Sequence, residues 1–572
     1  MKKSVLSLFL ILCTIFSLFA LASCNKRDKT TGTTATENPV ASGSATEEAT
    51  ATPTTDKWEA LAPNVTRIAA RDRQLKIECS VNKTGMKRSK NDIYLAGPDS
   101  VEDGVTPPIQ QMVYERNKAA NELFGTTIEY EFWDYIYGEQ APQIDLLVKG
   151  NATDAPDLFV NMIYDLNLEL LNGVFRDVRS IPGSFFDFTT TGWLGTWMEN
   201  MSLTGDRAYI LGSDYFLDMV RAILVLPFNM TLMNENAAKL ADAIIGADDD
   251  PLGANEKLST RFFDLVDEGD WTYDVLAALC SAIWVDEDGS GSDSIGDLLG
   301  IVADEYGGKS AVAFIYSCGE ELTEAYTIKD PTSEYDGKQW IKYADTSEGL
   351  NRIFDAVKSV FVGPGSLSTN YTFGGNSPDK PGKAYHHSKF AAGELLFLGV
   401  GLLGDLEDGT IQAMTDLFSV VPCPTIEGSQ DYNSIIDNTG DVGAMNVNSN
   451  PRKARVLSAY LQYCTENSGD IRDEFMQTVT KYRTTTYNQG TDRMLDLIYE
   501  GVLYGRDKAV DDLLGTTLRS SRWHNIMKSQ NHVAGADYIS SQYESVRQSK
   551  QAMLDSYLAK WYTLPKVETV AN

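Results

Sequence analysis

Histidine is nearly absent from this chain. The four that occur stand at 386, 387, 524 and 532, and neither they nor any HExxH stretch supply a metal-ligand pattern. Cysteine is sparse and scattered. No two of the seven form a CxxC pair, so a zinc site has no support. Cys13 falls in the leader and Cys24 at its end. Cys79, Cys280, Cys318, Cys423 and Cys464 are odd in number and widely spaced, and read as small buried side chains rather than a disulfide framework. GxSxG does not occur. Positive charge is in short supply: 49 Lys and Arg stand against 80 Asp and Glu, a net charge of −31. That balance disfavours nucleic acid, whose phosphates need clustered cations, and flat binding to anionic lipid. Gly308-Lys309-Ser310 ends like a phosphate loop, but Ala303 stands where the first Gly belongs. Residues 399–404 satisfy GxGxxG, yet 405–409 interrupt the helix that a dinucleotide site must open. They read as a loop beside a strand. With 80 acids in the chain, a carboxylate pair for glycoside hydrolysis has no weight until its separation in space is known.

What is present begins at the N-terminus. Lys2 and Lys3 precede an apolar run from Val5 to about Ala22, closed by Leu21-Ala22-Ser23-Cys24. A charged start, an apolar core and small residues before a cut are a secretory signal. Length alone leaves room for an uncleaved anchor, but the ending resembles the lipobox of bacterial lipoproteins, which implies lipid on Cys24. Two acyl chains anchor stably where one does not. Residues 25–57 are Thr, Ala, Ser, Glu and Pro with almost no large apolar side chains, so they read as a disordered tether. The folded body starts near Trp58 and is long enough for two domains.

Within the body the rhythm is α/β. Residues 92–96 read as a short buried strand. Residues 109–124 read as a helix with Ile109, Met112, Val113, Ala120, Leu123 and Phe124 on one face, started by Pro107 and Pro108 and stopped by Gly125. Ile128, Tyr130 and Phe132 alternate as in a strand; 140–149 is a second helix and 158–160 another strand. Further strands are expected at 222–228, 395–398 and 418–421. Thr272 suits the N-cap of a helix to about 282, and the chain from 453 onward has a helical pattern. Alternating elements favour parallel sheets with flanking helices.

Certain segments go further. Tyr114-Glu115-Arg116-Asn117 through Leu123-Phe124-Gly125 precedes Ile128-Glu129-Tyr130. Ala155-Pro156-Asp157-Leu158-Phe159 follows, then Pro227-Phe228-Asn229. Phe263-Asp264-Leu265-Val266 leads to Gly269-Asp270-Trp271-Thr272. Phe390 with Gly393-Glu394-Leu395-Leu396-Phe397, Val421-Pro422 and Met494-Leu495-Asp496 complete the set. In order and spacing these resemble the extracellular solute-binding proteins of carbohydrate-type ABC importers, in the lipoprotein form of Gram-positive bacteria. The resemblance implies an α/β, two-lobe periplasmic-binding-protein-like fold of class II, its lobes joined by crossover strands. It implies an N-terminal lobe from 58–225 and 388–425 and a C-terminal lobe from 226–387 and 426–572. It further implies a monomer without catalysis or a required cofactor, on the outer face of the membrane, passing a small solute, first a carbohydrate, to an ABC permease.

A sugar offers an apolar face to an aromatic ring and hydroxyls to fixed polar groups. The candidates are Trp133, Tyr135, Asn161, Tyr164, Trp193, Asp214, Tyr215 and Tyr316, with core packing as the alternative for each; Trp271 reads as core. One loop has a metal-ligand spacing. Counted from Asp286, Asp288 is third, Ser290 fifth, Gly291 sixth, Ser292 seventh and Asp297 twelfth, as in a calcium loop. Asp for Glu at twelve and Asp293 at eight depart from that pattern, and a solvated acidic turn is the alternative. Rival functions are a peptide or other polar-solute binder, a surface glycoside hydrolase or lyase, and a ligand-free scaffold or sensor component.

Overall fold

A computed structural model describes residues 54–81, 90–97, 107–136, 138–246, 252–253, 256–304, 309–369, 376–377, 380–381, 383–481, 489–502, 505–514 and 535–564. The leader, Cys24 and the tether to residue 53 lie outside them. The described chain opens with the helix Thr54–Thr66, so residues 54–57 of the expected tether are helical. Trp58 fixes this helix to the body: its ring is buried against Phe124 and Tyr463, and its Nε1 donates to Glu466 at 2.7 Å.

The strands that matter are, in chain order, Gln74–Val81 (β1), Thr127–Asp134 (β2), Leu158–Met162 (β3), Ile210–Leu211 (β4), Leu224–Asn229 (β5), Leu299–Asp304 (β6), Thr323–Thr327 (β7), Gln339–Tyr343 (β8), Ser366–Thr369 (β9), Leu395–Phe397 (β10), Gly401–Leu402 (β11), Phe418–Val421 (β12) and Asp441–Met445 (β13). They build two principal sheets. The first runs β2-β1-β3-β13-β4; β1 is parallel to β2 and β3, and β13 is antiparallel to β3 and β4. The second runs β11-β5-β10-β6-β9, with β12 also on β5. There β6 is parallel to β10 and β9, while β5 is antiparallel to β10, β11 and β12. β7 and β8 form a separate hairpin.

Local signals account for many of these elements. The helix Pro108–Phe124 begins where Pro needs no N–H partner and ends at Gly125 in the left-handed region. The helix Tyr273–Ile283 is capped by Thr272, whose Oγ1 accepts from Val275 N at 3.4 Å. Strand β5 is buried on both faces. Leu224, Leu226 and Phe228 join the core of the second lobe, whereas Val225 joins a core continuous with the first.

Two expectations are corrected. Residues 92–96 are a single wide helical turn, not a strand. The place beside β2 and β3 is taken by β1, and Gly97 ends the turn left-handed. The lobe boundaries also move. β10, β11 and β12, between 395 and 421, pair with β5 and β6, so 388–425 belongs to the second lobe. β13 returns to the first sheet, and the helix Pro451–Glu466 packs on Pro108–Phe124, so that part of 426–572 belongs to the first lobe. The apolar patterns of these strands fit either sheet; only the non-local pairing chooses.

Candidate functional site

The two lobes meet along a pair of crossing segments. Leu224 N donates to Ile435 O at 2.8 Å and Asp437 N to Ala222 O at 2.9 Å, with Ile223 opposite Ile436 in an antiparallel bridge. Gly440 is needed beside this pair, because a Cβ there would stand 2.8 Å from the Cβ of Ala222. Two backbone segments crossing side by side from one sheet to the other are a hinge in form.

The carboxyl ends of the parallel strands converge on the same segment. After β3, Ile163 N donates to Gly440 O (3.0 Å) and Tyr164 N to Asn438 O (3.1 Å). After β6, Lys309 at the start of the helix Lys309–Ser317 pairs with Asp437 at 2.6 Å. Asp437 is fully buried and also accepts from Thr439 Oγ1 at 2.6 Å. Ligands in open α/β sheets lie off the carboxyl ends of the strands, and here both lobes present those ends to residues 437–440. The segments 82–89, 305–308 and 370–375, which follow β1, β6 and β9, lie outside the described residues. The GxGxxG stretch falls at this edge as a loop, β11 and a short 3-10 turn, Leu403–Glu407. Val400 N donates to Ser310 Oγ at 3.0 Å, and no α-helix opens within the motif.

Behind the hinge lies a buried polar chain. Arg221 donates to both oxygens of Asp218 (2.5 and 3.0 Å), Asp441 N donates to Asp218 Oδ2 (3.1 Å), and Ser80 and Asn91 donate to Asp441 Oδ2 (2.8 and 2.6 Å). Lys90 and Tyr94 of the first lobe reach Glu407 of the second at 2.6 and 3.0 Å.

The residues proposed from sequence do not gather into one site. Trp133 is 8% exposed and packs on Phe159. Tyr135 is buried with its hydroxyl on Met162 Sδ, and Asn161 is buried, donating to Glu78 Oε2 at 2.5 Å. Burial pushes the Glu78 carboxyl well above the usual range. Trp193 and Tyr215 are buried. Trp193 sits among Phe186 and Phe188 with its Nε1 on Gln462, and Tyr215 lies beneath the Arg116 guanidinium and beside Tyr460. Both rings complete the core beneath the helix Pro451–Glu466. Asp214 accepts from Arg472 (2.9 Å) and from Tyr499, on the helices Gly469–Lys481 and Gln489–Glu500; burial pushes its carboxyl up to about 6 despite Arg472. Tyr164 is half-buried at the hinge, and Tyr316, also half-buried, donates to Asp511.

Asp511 belongs to a feature that sequence reasoning missed. The helix Arg506–Leu514 packs on Ile163–Leu170 and Gly195–Met201 of the first lobe. Its Asp507, Lys508, Asp511 and Asp512 are all buried. Lys508 pairs with Asp512, Asp507 accepts from Leu322 N, and Arg506 Nη1 donates to Thr323 O at 3.1 Å. A charged run normally marks a solvated face; no local signal separates this one.

The acidic loop does gather. Asp286, Asp288 and Asp297 bring carboxylate oxygens within 4.8 Å of one another. Gly291 is left-handed (φ +74°), and its N–H donates to Asp286 Oδ2 at 2.8 Å. Ser290 Oγ donates to the Ser292 carbonyl at 2.9 Å. Asp297 is buried and accepts from Glu287 N (3.0 Å) and Ser294 N (2.8 Å).

No family model and no curated protein matches the chain. Solved structures do align with it. The cyclic alpha-maltosyl-1,6-maltose binding protein from Arthrobacter globiformis is 12% identical over 84% of this chain and 99% of its own, with a TM-score of 0.44. UspC of M. tuberculosis is 11% identical over 84% and 100%, also at 0.44. The ABC substrate-binding protein Lmo0181 from Listeria monocytogenes, in complex with cycloalternan, is 12% identical over 86% and 97%, at 0.39. None of these scores reaches 0.5.

Proposed function

We propose that this chain is a solute-binding lipoprotein. It captures a small solute, a carbohydrate first, between its lobes and delivers it to an ABC permease from the outer face of the membrane, held there by lipid on Cys24. One observation supports this most: two α/β lobes meet at a pair of crossing segments, and the carboxyl ends of both sheets converge beside it. That geometry suits capture by hinge motion. Asn438 and the half-buried ring of Tyr164 at the meeting point are the amide and aromatic face of the kind a polyol takes. The carboxylate there, Asp437, is paired with Lys309 at 2.6 Å, a fixed charge pair of the kind that holds a hinge segment in place.

A thermal-shift screen of the mature chain against mono- and oligosaccharides and peptides tests it. A true solute at about 100 times its dissociation constant stabilises by roughly 2.7 kcal/mol. A response to peptides alone would move the solute class, and no response to either would sink the capture reading. Anchoring is tested separately: Cys24→Ala should abolish metabolic lipid labelling and release the protein, and persistent labelling would refute the lipobox.

The same proposal takes Asp286, Asp288, Ser290, Ser292 and Asp297 as a calcium loop bracing the second lobe, away from the solute. Millimolar calcium added to chelator-treated protein should then raise the melting temperature, and Asp286→Ala should remove the response. An unchanged melting curve in the parent would leave an ordinary acidic turn.

A further inference from the structure

The last described helix, Gly535–Thr563, is fastened to both lobes. Leu554, Tyr557, Leu558 and Trp561 are buried at the i, i+3, i+4, i+7 spacing of one helix face. Over most of its length the helix lies on the second lobe. Tyr543 Oη donates to Ala344 O at 2.8 Å, Gln551 accepts from Tyr343 N (2.8 Å) and donates to Ile341 O (3.1 Å), and Trp340 Nε1 donates to Asp555 Oδ1 at 2.8 Å. In its final turn Tyr562 Oη donates to Gln339 O at 2.8 Å and its ring stacks on Trp340 of β8, but that turn reaches the first lobe as well, at the stretch leading into β4. There Trp561 Nε1 donates to Thr204 Oγ1 at 3.0 Å, and its ring meets Tyr209 edge-on at 5.2 Å between centroids. The Arg207 guanidinium donates to the carbonyls of Trp561 (2.9 Å) and Leu564 (3.2 Å), supplying donors that the end of a helix lacks.

We infer that this helix is a strap that, beside the Lys90–Glu407 tie and the helix Arg506–Leu514, holds the lobes together, and that they part about the 222–224/435–437 hinge only when its Trp561 end lets go of Thr204 and Arg207. From Tyr543 to Trp561 the helix spans about 27 Å at 1.5 Å per residue, and a hydrogen-bonded rod does not stretch. The end on the second lobe is secured by contacts spread over β8 and the residues after it. The end on the first lobe rests on one indole, one guanidinium and the packing of the helix on Arg506–Leu514, a shorter set of polar contacts, so it is the end that releases. Solute entry is then gated at a point remote from the hinge.

The inference rests on the hinge reading above, and its test uses no solute, so it fails or stands apart from the capture proposal. Nitroxides are placed on the full chain in detergent at Leu146→Cys and Val362→Cys, exposed positions on the first and second lobes. Electron-electron distance measurement should give one narrow population in the parent. Trp561→Ala and, more gently, Arg207→Met should each add a longer distance holding at least a tenth of the molecules, with melting within a few degrees of the parent. If Trp561→Ala fails to fold, Arg207→Met decides alone. A single unchanged distance in the folded variants would overturn the strap and make the helix an ordinary packing element.

Discussion

Replacing Arg221 by Met should lower the unfolding free energy by about 3–5 kcal/mol, the usual cost of removing one partner from a buried ion pair. Arg221 is buried, and its guanidinium meets both oxygens of Asp218 at 2.5 and 3.0 Å. Asp218 is fully buried and, among the described residues, accepts one backbone N–H besides, from Asp441 at 3.1 Å. Met keeps the bulk of the stem beside Gly404, where a Cβ would already meet Arg221 Cγ at 2.1 Å. The loss is therefore electrostatic more than volumetric. Urea unfolding of the parent, Arg221→Met, Asp218→Asn and the double variant completes a cycle. The double variant should recover much of the loss, since no charge is then left stranded. A cost below about 1 kcal/mol for Arg221→Met would show that the pair contributes little.

Trp271→Ala should cost a similar amount, about 3–5 kcal/mol, for a different reason. The ring has no exposed surface. It stacks on Phe397 of β10 at 5.9 Å and meets Phe262 edge-on at 4.9 Å, and Nε1 donates to the Pro422 carbonyl at 2.9 Å. Alanine leaves a void the size of an indole and an unpaired carbonyl. Trp271→Phe keeps most of the packing but loses the donor, and should cost about 1–3 kcal/mol. Hydrogen exchange should locate the alanine loss in β5, β10 and the helix Leu258–Glu268. Equal costs for the two variants would mean that the hydrogen bond, and not the cavity, holds this region.

The contrast between Trp271 and Trp193 shows how far the sequence carries. Gly269, Trp271 and Thr272 sit at a helix start with a capping hydroxyl, a local arrangement, and the helix Tyr273–Ile283 follows it. Pro107, Pro108 and Gly125 bound their helix for the same reason. Trp193 has no such frame. Whether it lines a cleft or fills a core depends on Gln462, far along the chain. β1 shows the same limit. Its Leu75, Ile77, Cys79 and Val81 alternate, but Lys76, Glu78 and Ser80 lie between them, and Glu78 is buried only because Asn161 of a neighbouring strand meets it. The buried charges of Arg506–Leu514 and the lobe assignment of 388–425 are likewise decided by partners that no local pattern names.

The threading of the two sheets also sets an order of assembly. Every strand of the second principal sheet lies between residues 224 and 421, so that sheet can close from one continuous stretch of chain. The first sheet cannot. β4 joins it only through β13, at 441–445, after the whole of the other sheet has been made. The entropic cost of closing so large a loop grows only logarithmically with its length, and a loop already folded into a compact body shortens the distance to be closed. The first sheet is therefore the last to be completed, although four of its five strands are the first to leave the ribosome.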